Sequence, residues 1–431
     1  MKRKTLPTIT ASLVLLILAV LVILVAYEAP QSEEQVTEES IEIVTEESQD
    51  TSKITEISTV KIDPEQISET TNELGEEATS LLPLYENGLL DTSEFFTERD
   101  LQQSPSLEEA TTYTVTSDSD IHITEEGTYI LTGTASNVTI YIEADDEAKI
   151  QLVLDELSIV NADFPCIYVI SGDKIWITTI GDSALCVTGS FRSDGDTNTD
   201  GVIFSRSDVV MNGTASLTIN SYENGVVSKD DLKVTGGTYL INAGSKALEA
   251  NDSIRIADGT LNLTAGTDGL HAENDEDDAL GIVYICGGTL NIEAGDDGIH
   301  GTSVVQIDEG LIDISAAEGI EGTCIQINDG TINISSWDDG INAANKSSAY
   351  TTGLEINGGT ITIDMGQGDT DGIDSNGNLT VNGGTIDITG MSGFDVDGVV
   401  EYNGGTIIFD GQEFDYIPNQ GGMSGGHRGM W

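Results

Sequence analysis

Gly287-Gly288-Thr289-Leu290-Asn291-Ile292-Glu293-Ala294-Gly295-Asp296-Asp297-Gly298-Ile299 holds a strand, a corner and the start of another strand. Leu290 and Ile292 alternate with Asn291 and Glu293, the period-two pattern of a strand with one buried face. Glycines bound it on both sides, and Asp-Gly is a turn pair. The phrase recurs as KVTGGTYLINAG, RIADGTLNLTAG, QINDGTINISSW, EINGGTITIDMG and TVNGGTIDITG. Its "GT" glycines, Gly237, Gly259, Gly288, Gly310, Gly330, Gly359, Gly384 and Gly405, are spaced 22, 29, 22, 20, 29, 25 and 21 residues apart. The base period is therefore near 21, with insertions in particular coils. A leucine-rich repeat would need a leucine/asparagine consensus and a helical side, and neither is present. Every repeat is strand, turn, strand, turn. Parallel coils stack roughly 4.7–4.9 Å apart and such crossovers are right-handed. The fold class is thus all-β, a right-handed parallel β-helix, or solenoid. Leu261/Leu263, Leu290/Ile292, Ile332/Ile334, Ile361/Ile363 and Ile386/Ile388 are expected to form inward ladders, with Asn262, Asn291, Asn333 and Asp387 facing solvent.

Outward from this core, regular repeats occupy 225–412, and less regular strands at 111–224 supply the first coils and a cap. Residues 28–110 are rich in Glu, Ser and Thr without a sustained apolar period, which predicts an acidic, disordered stalk. Residues 1–27 carry Lys2, Arg3 and Lys4 before an apolar run from Ala11 to Tyr27, long enough for a transmembrane helix with its N-terminus inside. Leu24-Val25-Ala26-Tyr27-Glu28 is a poor cleavage site and no cysteine follows to take a lipid, so an uncleaved anchor is expected. That places the chain in the cell membrane as a single-pass protein with its bulk extracytoplasmic. Residues 413–431 read as a Gly-rich flexible tail.

A formal charge of −59 leaves no basic footprint for nucleic acid. It suits either simple solubility or carboxylates clustered for a hard cation such as Ca²⁺. Cys166, Cys186, Cys286 and Cys324 form no CxxC pair, so buried free thiols are expected, with Cys166 and Cys186 spaced so that they could stack as a disulfide.

Clustering decides between the two readings of the charge. An acid precedes Gly-aliphatic in coil after coil: Asp268, Asp297, Glu318, Asp339, Asp371 and Asp397. Stacked, they form a ladder whose neighbours, about 5 Å apart, repel by roughly 1 kcal/mol in water and more beside protein. Asp296 and Asp338 double two rungs, and Asp369 with Asp374 thickens a third, giving the all-oxygen sets that Ca²⁺ prefers. Any single rung is explained equally well by the turn geometry of Asp-Gly. A separate loop sets Asp194, Asp196, Asn198 and Asp200 at alternate positions like the first half of a calcium loop, though position twelve is Ser205 rather than Glu. The two long intervals insert HAENDEDDAL and NAANKSSAYTTG just after the acidic corner, so both should project from one edge, roughly 14 Å apart. Between them lie Asp296, Asp297, Glu318 and Glu321, a strip expected to bind ligand, with Trp337 and Tyr350 as sugar-stacking groups. Lys246, at the matching corner of AGSKALEA, is the one candidate base for lyase chemistry. No Ser/His/Asp set, HExxH or phosphate loop occurs.

The segments SEFFTERDL, ASNVTIYIEADDEAKIQLVLDELSI, FPCIYV, GDTNTDGVIFS and GVVSKDDLKVTGGTYLINAGSKALEA, with the DGI/GGT alternation, carry a resemblance over about residues 90–431. The chain resembles bacterial surface proteins named for a carbohydrate-binding β-helix domain, related in fold to lyases that cleave pectate. The resemblance implies binding of cellulose or acidic sugars and calcium carried in the β-helix. The expected function is a non-catalytic, calcium-dependent carbohydrate-binding surface protein for plant-type or acidic polysaccharide; a pectate-type lyase and a structural adhesin are the alternatives.

Overall fold

The computed structural model describes residues 89–366 and 370–418, all within the unit Ala78–Trp431. The apolar segment 11–27, the stalk up to residue 88, Asp369 and the tail from residue 419 lie outside the described residues. The described chain is all-β, without a helix, and its thirty strands join one continuous hydrogen-bonded network.

Strand pairing follows the repeat. Tyr239, Leu261, Leu290, Ile312, Ile332, Ile361, Ile386 and Ile407 stand register to register in parallel, and all are buried. The companion ladder Leu263, Ile292, Ile314, Ile334, Ile363, Ile388 lies beside it. A slip of one residue would turn every aliphatic side chain to water, and each loses roughly 1.5–3 kcal/mol when exposed, so the pattern pins the register. A third ladder runs unbroken from Ile140 through Ile167, Ile203, Val226, Leu248, Leu270, Ile299, Ile320 and Ile341 to Ile373 and Phe394. The irregular strands of 111–224 therefore feed the same stack as the regular coils.

Glycine makes two of the corners. Gly288 of the GT corner has φ 88°, a region that costs other residues. Gly298 of the DGI corner leaves no room: a Cβ there would sit 2.4 Å from Ile314 Cγ2 and 2.7 Å from Gly319 O.

Both ends differ from the expected boundaries. Leu89–Ala110, expected to belong to a disordered stalk, packs along the coils. Asp100, fully buried, accepts the Trp176 indole N–H at 3.0 Å and faces Lys233 and Lys174 at 3.9 and 4.0 Å. Leu90 and Leu89 donate their N–H groups to Gln306 and Gln326 at 2.9 and 2.8 Å. Phe95 meets Tyr284 edge-on at 5.1 Å. A few strong anchors thus hold a segment whose composition alone is that of a disordered chain. At the other end, Gln412–Phe414, which straddles the expected boundary between repeats and tail, turns back antiparallel on Thr406–Phe409. It is the one antiparallel strand pair among the described residues, and it covers an edge that would otherwise be open to pairing with another chain.

Candidate functional site

The corner acids do stack. Asp297 pairs with Glu318, Asp297 N–H donates to Asp268 Oδ1 at 3.3 Å, and Asp371 N–H to Asp339 Oδ1 at 3.0 Å. Lys246 holds the equivalent corner one coil before Asp268, since Leu248 pairs with Leu270. The ladder ends differently from expectation: Ser392, not Asp397, pairs with Asp371. Asp397 instead donates its N–H to Ser375 O at the following corner.

Three residues on from each corner stands a second column that the corner acids alone did not reveal: Glu249, His271, His300, Glu321, Asn342, Asp374 and Asp395, paired register to register. Its signal in the sequence is the letter directly after each corner glycine-aliphatic pair, in DGLHA, DGIHG, EGIEG, DGINA and DGIDS. Together the columns make a strip of charge whose character changes along the stack.

In the earlier coils each of these acids faces a basic side chain. Lys246 and Lys229 approach Glu249 at 3.8 and 3.3 Å. Asp268 Oδ2 lies 2.8 Å from His271 Nδ1, though without the alignment of a hydrogen bond. His300 Nδ1 sits between Asp297 at 2.9 Å and Glu321 at 2.8 Å, and its ring stacks on His271 with centroids 4.7 Å apart. Burial opposes its charge, but these two carboxylates hold the imidazole protonated, up to about 9. Lys346, from the second insertion, reaches Glu321 Oε1 at 2.8 Å. Asp297, His300 and Glu321 are also near enough to one another to hold a metal, yet here the proton and Lys346 already balance the two carboxylates.

Glu318, Asp339, Asp374 and Asp395 follow along the later coils with Asn342 among them, and among the described residues no Lys, Arg or His side chain pairs with these four, while Asp371 accepts the Ser392 hydroxyl. Burial, then Glu321, pushes Glu318 up to about 7. Burial with Asp338, Asp371 and Asp395 raises Asp339 to about 6, and burial with Asp339 and Asp395 does the same for Asp374. Asn342 donates to Glu318 Oε2 at 3.0 Å, while its own Oδ1 is shut off from solvent and accepts no hydrogen bond. An orphaned carbonyl oxygen among carboxylates fits a hard cation with six to eight oxygen ligands.

The other expected residues scatter. Asp296 and Asp338 are exposed beside the strip. Asp194 accepts the Tyr168 hydroxyl at 3.2 Å, Asp196 faces solvent, and Asn198 donates to Asp200 Oδ2 at 2.7 Å. Burial, then Glu249, raises the Asp200 carboxyl, whose Oδ1 is buried without a hydrogen-bond partner. Glu321, expected to face sugar, is buried against His300 and Lys346. Tyr350 packs with Tyr284 and Leu90 and donates its hydroxyl to Ala279 O at 3.3 Å. Trp337 is 52% exposed. The two insertions project from one edge and meet, Ser347 and Ser348 donating to Asp278. All four cysteines are free thiols.

The family described as carbohydrate-binding domain-containing protein matches residues 117–370 and 315–403. A carbohydrate-binding domain-containing protein of Acetivibrio thermocellus is 32% identical over 132 residues, 30% of this chain and 46% of that protein. The chain thus matches less than half the length of that relative. A solved polysaccharide lyase-like protein from C. thermocellum, a gadolinium derivative, is 29% identical over 52% of this chain and 96% of its own, with a TM-score of 0.45.

Proposed function

Because this chain belongs to the carbohydrate-binding domain-containing protein family, we propose that it is a non-catalytic cell-surface protein that binds polysaccharide with the help of calcium. In this reading the stacked coils are a right-handed parallel β-helix, carried outside the membrane by the apolar segment 11–27. The observation that carries the calcium reading is the uncompensated half of the strip. Glu318, Asp339, Asp374 and Asp395, with the orphaned Asn342 Oδ1, offer oxygen donors only, the set a hard cation takes. Bound there, Ca²⁺ would offset the mutual repulsion of the carboxylates and could bridge to a sugar carboxylate or hydroxyl. A lyase would need a free base beside that cation. Lys246 and Lys346 are instead tied to Glu249 and Glu321 in the compensated half.

Titration calorimetry of the full chain with Ca²⁺, then glycan-array binding with and without chelator, tests the reading. Calcium uptake with chelator-sensitive glycan binding and no unsaturated uronate product is the expected result. Failure to take up Ca²⁺ at millimolar concentration would remove the calcium part, and ultraviolet-absorbing product would replace the binding protein by a lyase.

A further inference from the structure

Where the compensated half of the strip ends, two stacked imidazoles lie among carboxylates. His271 and His300 hold the same position on successive coils, with their rings 15° from parallel and centroids 4.7 Å apart. They are only 8% and 7% exposed. Each turns Nδ1 to the acid at the corner of its own coil, His271 to Asp268 Oδ2 at 2.8 Å and His300 to Asp297 Oδ2 at 2.9 Å. Glu321 Oε2 completes the second set, 2.8 Å from His300 Nδ1. The outer nitrogens have partners of their own. Glu273 Oε2 lies 3.1 Å from His271 Nε2, and Thr302 Oγ1 lies 3.2 Å from His300 Nε2. A carboxylate only accepts, so His271 Nε2 carries the N–H. Its Nδ1 is shut off from solvent and makes no hydrogen bond. An imidazole nitrogen thus faces a carboxylate oxygen at contact distance with no proton aligned between them. A metal-ligating imidazole characteristically gives its outer N–H to a carboxylate, which fixes the tautomer and turns the other nitrogen to the ion.

We infer that Asp297 Oδ2, His300 Nδ1 and Glu321 Oε2 are ligands of a divalent transition-metal ion of the zinc class, with His271 and Asp268 on the preceding coil as the adjoining donors. The three residues are buried, and their ligand atoms lie within 4.8 Å of one another. Donors bound at about 2.0–2.2 Å stand roughly 3–3.5 Å apart around one ion, so the set has to open only slightly. Chemistry selects the class: imidazole nitrogen suits zinc, copper, iron and nickel, whereas calcium takes oxygen. The site is therefore separate from the all-oxygen corners of the later coils, and it goes beyond the calcium reading without depending on it. In the metal-free chain a proton on His300 joins the two carboxylates, and an ion between the same three atoms takes that place with the larger charge. Lys346, on the other oxygen of Glu321, is 44% exposed and can withdraw into solvent. Because His300 and Glu321 stand on successive coils, the bound ion clamps one coil to the next.

The test is calorimetry on the full chain, stripped of metal, with Zn²⁺ as the probe in the absence and presence of millimolar Ca²⁺. Histidine nitrogen resonances of the parent report which ring takes the ion. His300→Gln and Glu321→Gln are compared with the parent and with His122→Gln/His427→Gln, which removes the chain's other two histidines. Matching thermal midpoints in chelator verify folding, and Glu321→Gln carries the comparison where His300→Gln does not fold. The expected result is one Zn²⁺ per chain, retained in Ca²⁺, with the His300 Nδ1 resonance moving on binding. Affinity should fall at least about tenfold in both ligand variants, while the double variant matches the parent and Ca²⁺ uptake is unchanged throughout. Absence of Zn²⁺ uptake, displacement by millimolar Ca²⁺, or an unmoved His300 resonance overturns the assignment. So does affinity within twofold of the parent in the folded ligand variants. Ca²⁺ uptake without Zn²⁺ ends this proposal alone, and Zn²⁺ at His300 without Ca²⁺ uptake supports it while ending the calcium reading.

Discussion

If calcium balances the later carboxylates as proposed, its removal should make the fold sensitive to pH in a defined window. Glu318, Asp339 and Asp374 are raised to about 7, 6 and 6 in the folded chain, above ordinary carboxylate values of 4.5, 3.8 and 3.8. A raised carboxyl stabilises the fold fully below its ordinary value and loses that contribution as pH climbs through the folded value. In chelator, stability should therefore fall between about pH 4 and pH 7. Full conversion would give roughly 3 kcal/mol per group. The three share their interactions and are partly solvated, so about 1 kcal/mol each and about 3 kcal/mol together is the expected size. Ca²⁺ at a hundredfold over its Kd returns about 2.7 kcal/mol at pH 7.5. The assay is urea unfolding from pH 4 to 9 in chelator and in calcium, on the parent and on Asp339→Asn/Asp374→Asn. Without charge to repel, that double variant should be more stable than the parent in chelator at pH 7.5, by about 1–2 kcal/mol, and indifferent to calcium. His300 adds a separate phase: held near 9 against an ordinary 6.5, it stabilises below 6.5 and fades towards 9 in both conditions. A chelator profile flat from pH 4 to 7, or a double variant that is weaker in chelator and still responds to calcium, would refute the reasoning.

Gly340→Ala places a Cβ 2.4 Å from Gly372 O and 2.6 Å from Ile363 Cγ2, so a loss of about 2–4 kcal/mol is expected in the urea midpoint; a neutral result would mean the corner is looser than drawn. Asp100→Ala strips the buried partner of Trp176, Lys174 and Lys233, and about 3 kcal/mol should go with it, accompanied by a red shift of tryptophan emission as the Leu89–Ala110 segment lifts. Glu321→Gln removes one of the two carboxylates on His300 and the partner of Lys346. Histidine resonances followed against pH should then show His300 titrating below its parent value of about 9.

The inward ladders are written openly in the repeat because each coil buries the same two aliphatic positions, and Leu261 through Ile386 stand where alternation puts them. The corner acids stack for the same reason. What the repeat hid was the column three residues further on. His271 and His300 fall inside short apolar runs, and the separation that joins Asp297 to His300 belongs to a corner, not to the two-residue period of a strand. Asp397 was misplaced by its own letters: the slot after Asp371 carries Ser392, and matching on an acid skips to the next corner, where Gly398 donates to Gly377 O. Leu89–Ala110 was obscured by its composition, since Asp100, Phe95 and Leu90 hold it through single contacts that leave no periodic trace. Tyr350 and Glu321 were assigned to sugar by proximity to the acidic edge, whereas folding pairs them with Ala279 and His300.

The change in character along the strip has a mechanical consequence. Glu249, Asp297 and Glu321 find their counter-charges in side chains of the same molecule, fixed by folding at 2.8–3.8 Å, so those corners should be indifferent to calcium. For Asp339, Asp374 and Asp395 the proposed reading has bound calcium supply the counter-charge, and each stacked step of unbalanced carboxylates costs roughly 1 kcal/mol or more. Local opening is set by local stability, so withdrawing calcium should speed amide exchange in Ile341–Ala343, Asp371–Ser375 and Ser392–Val396 by about tenfold or more. Leu248–Ala250 and Leu270–Ala272 should exchange at unchanged rates. Uniform change along the stack would mean that the cation acts on the rod as a whole, and that the carboxylates of the later coils are not where it sits.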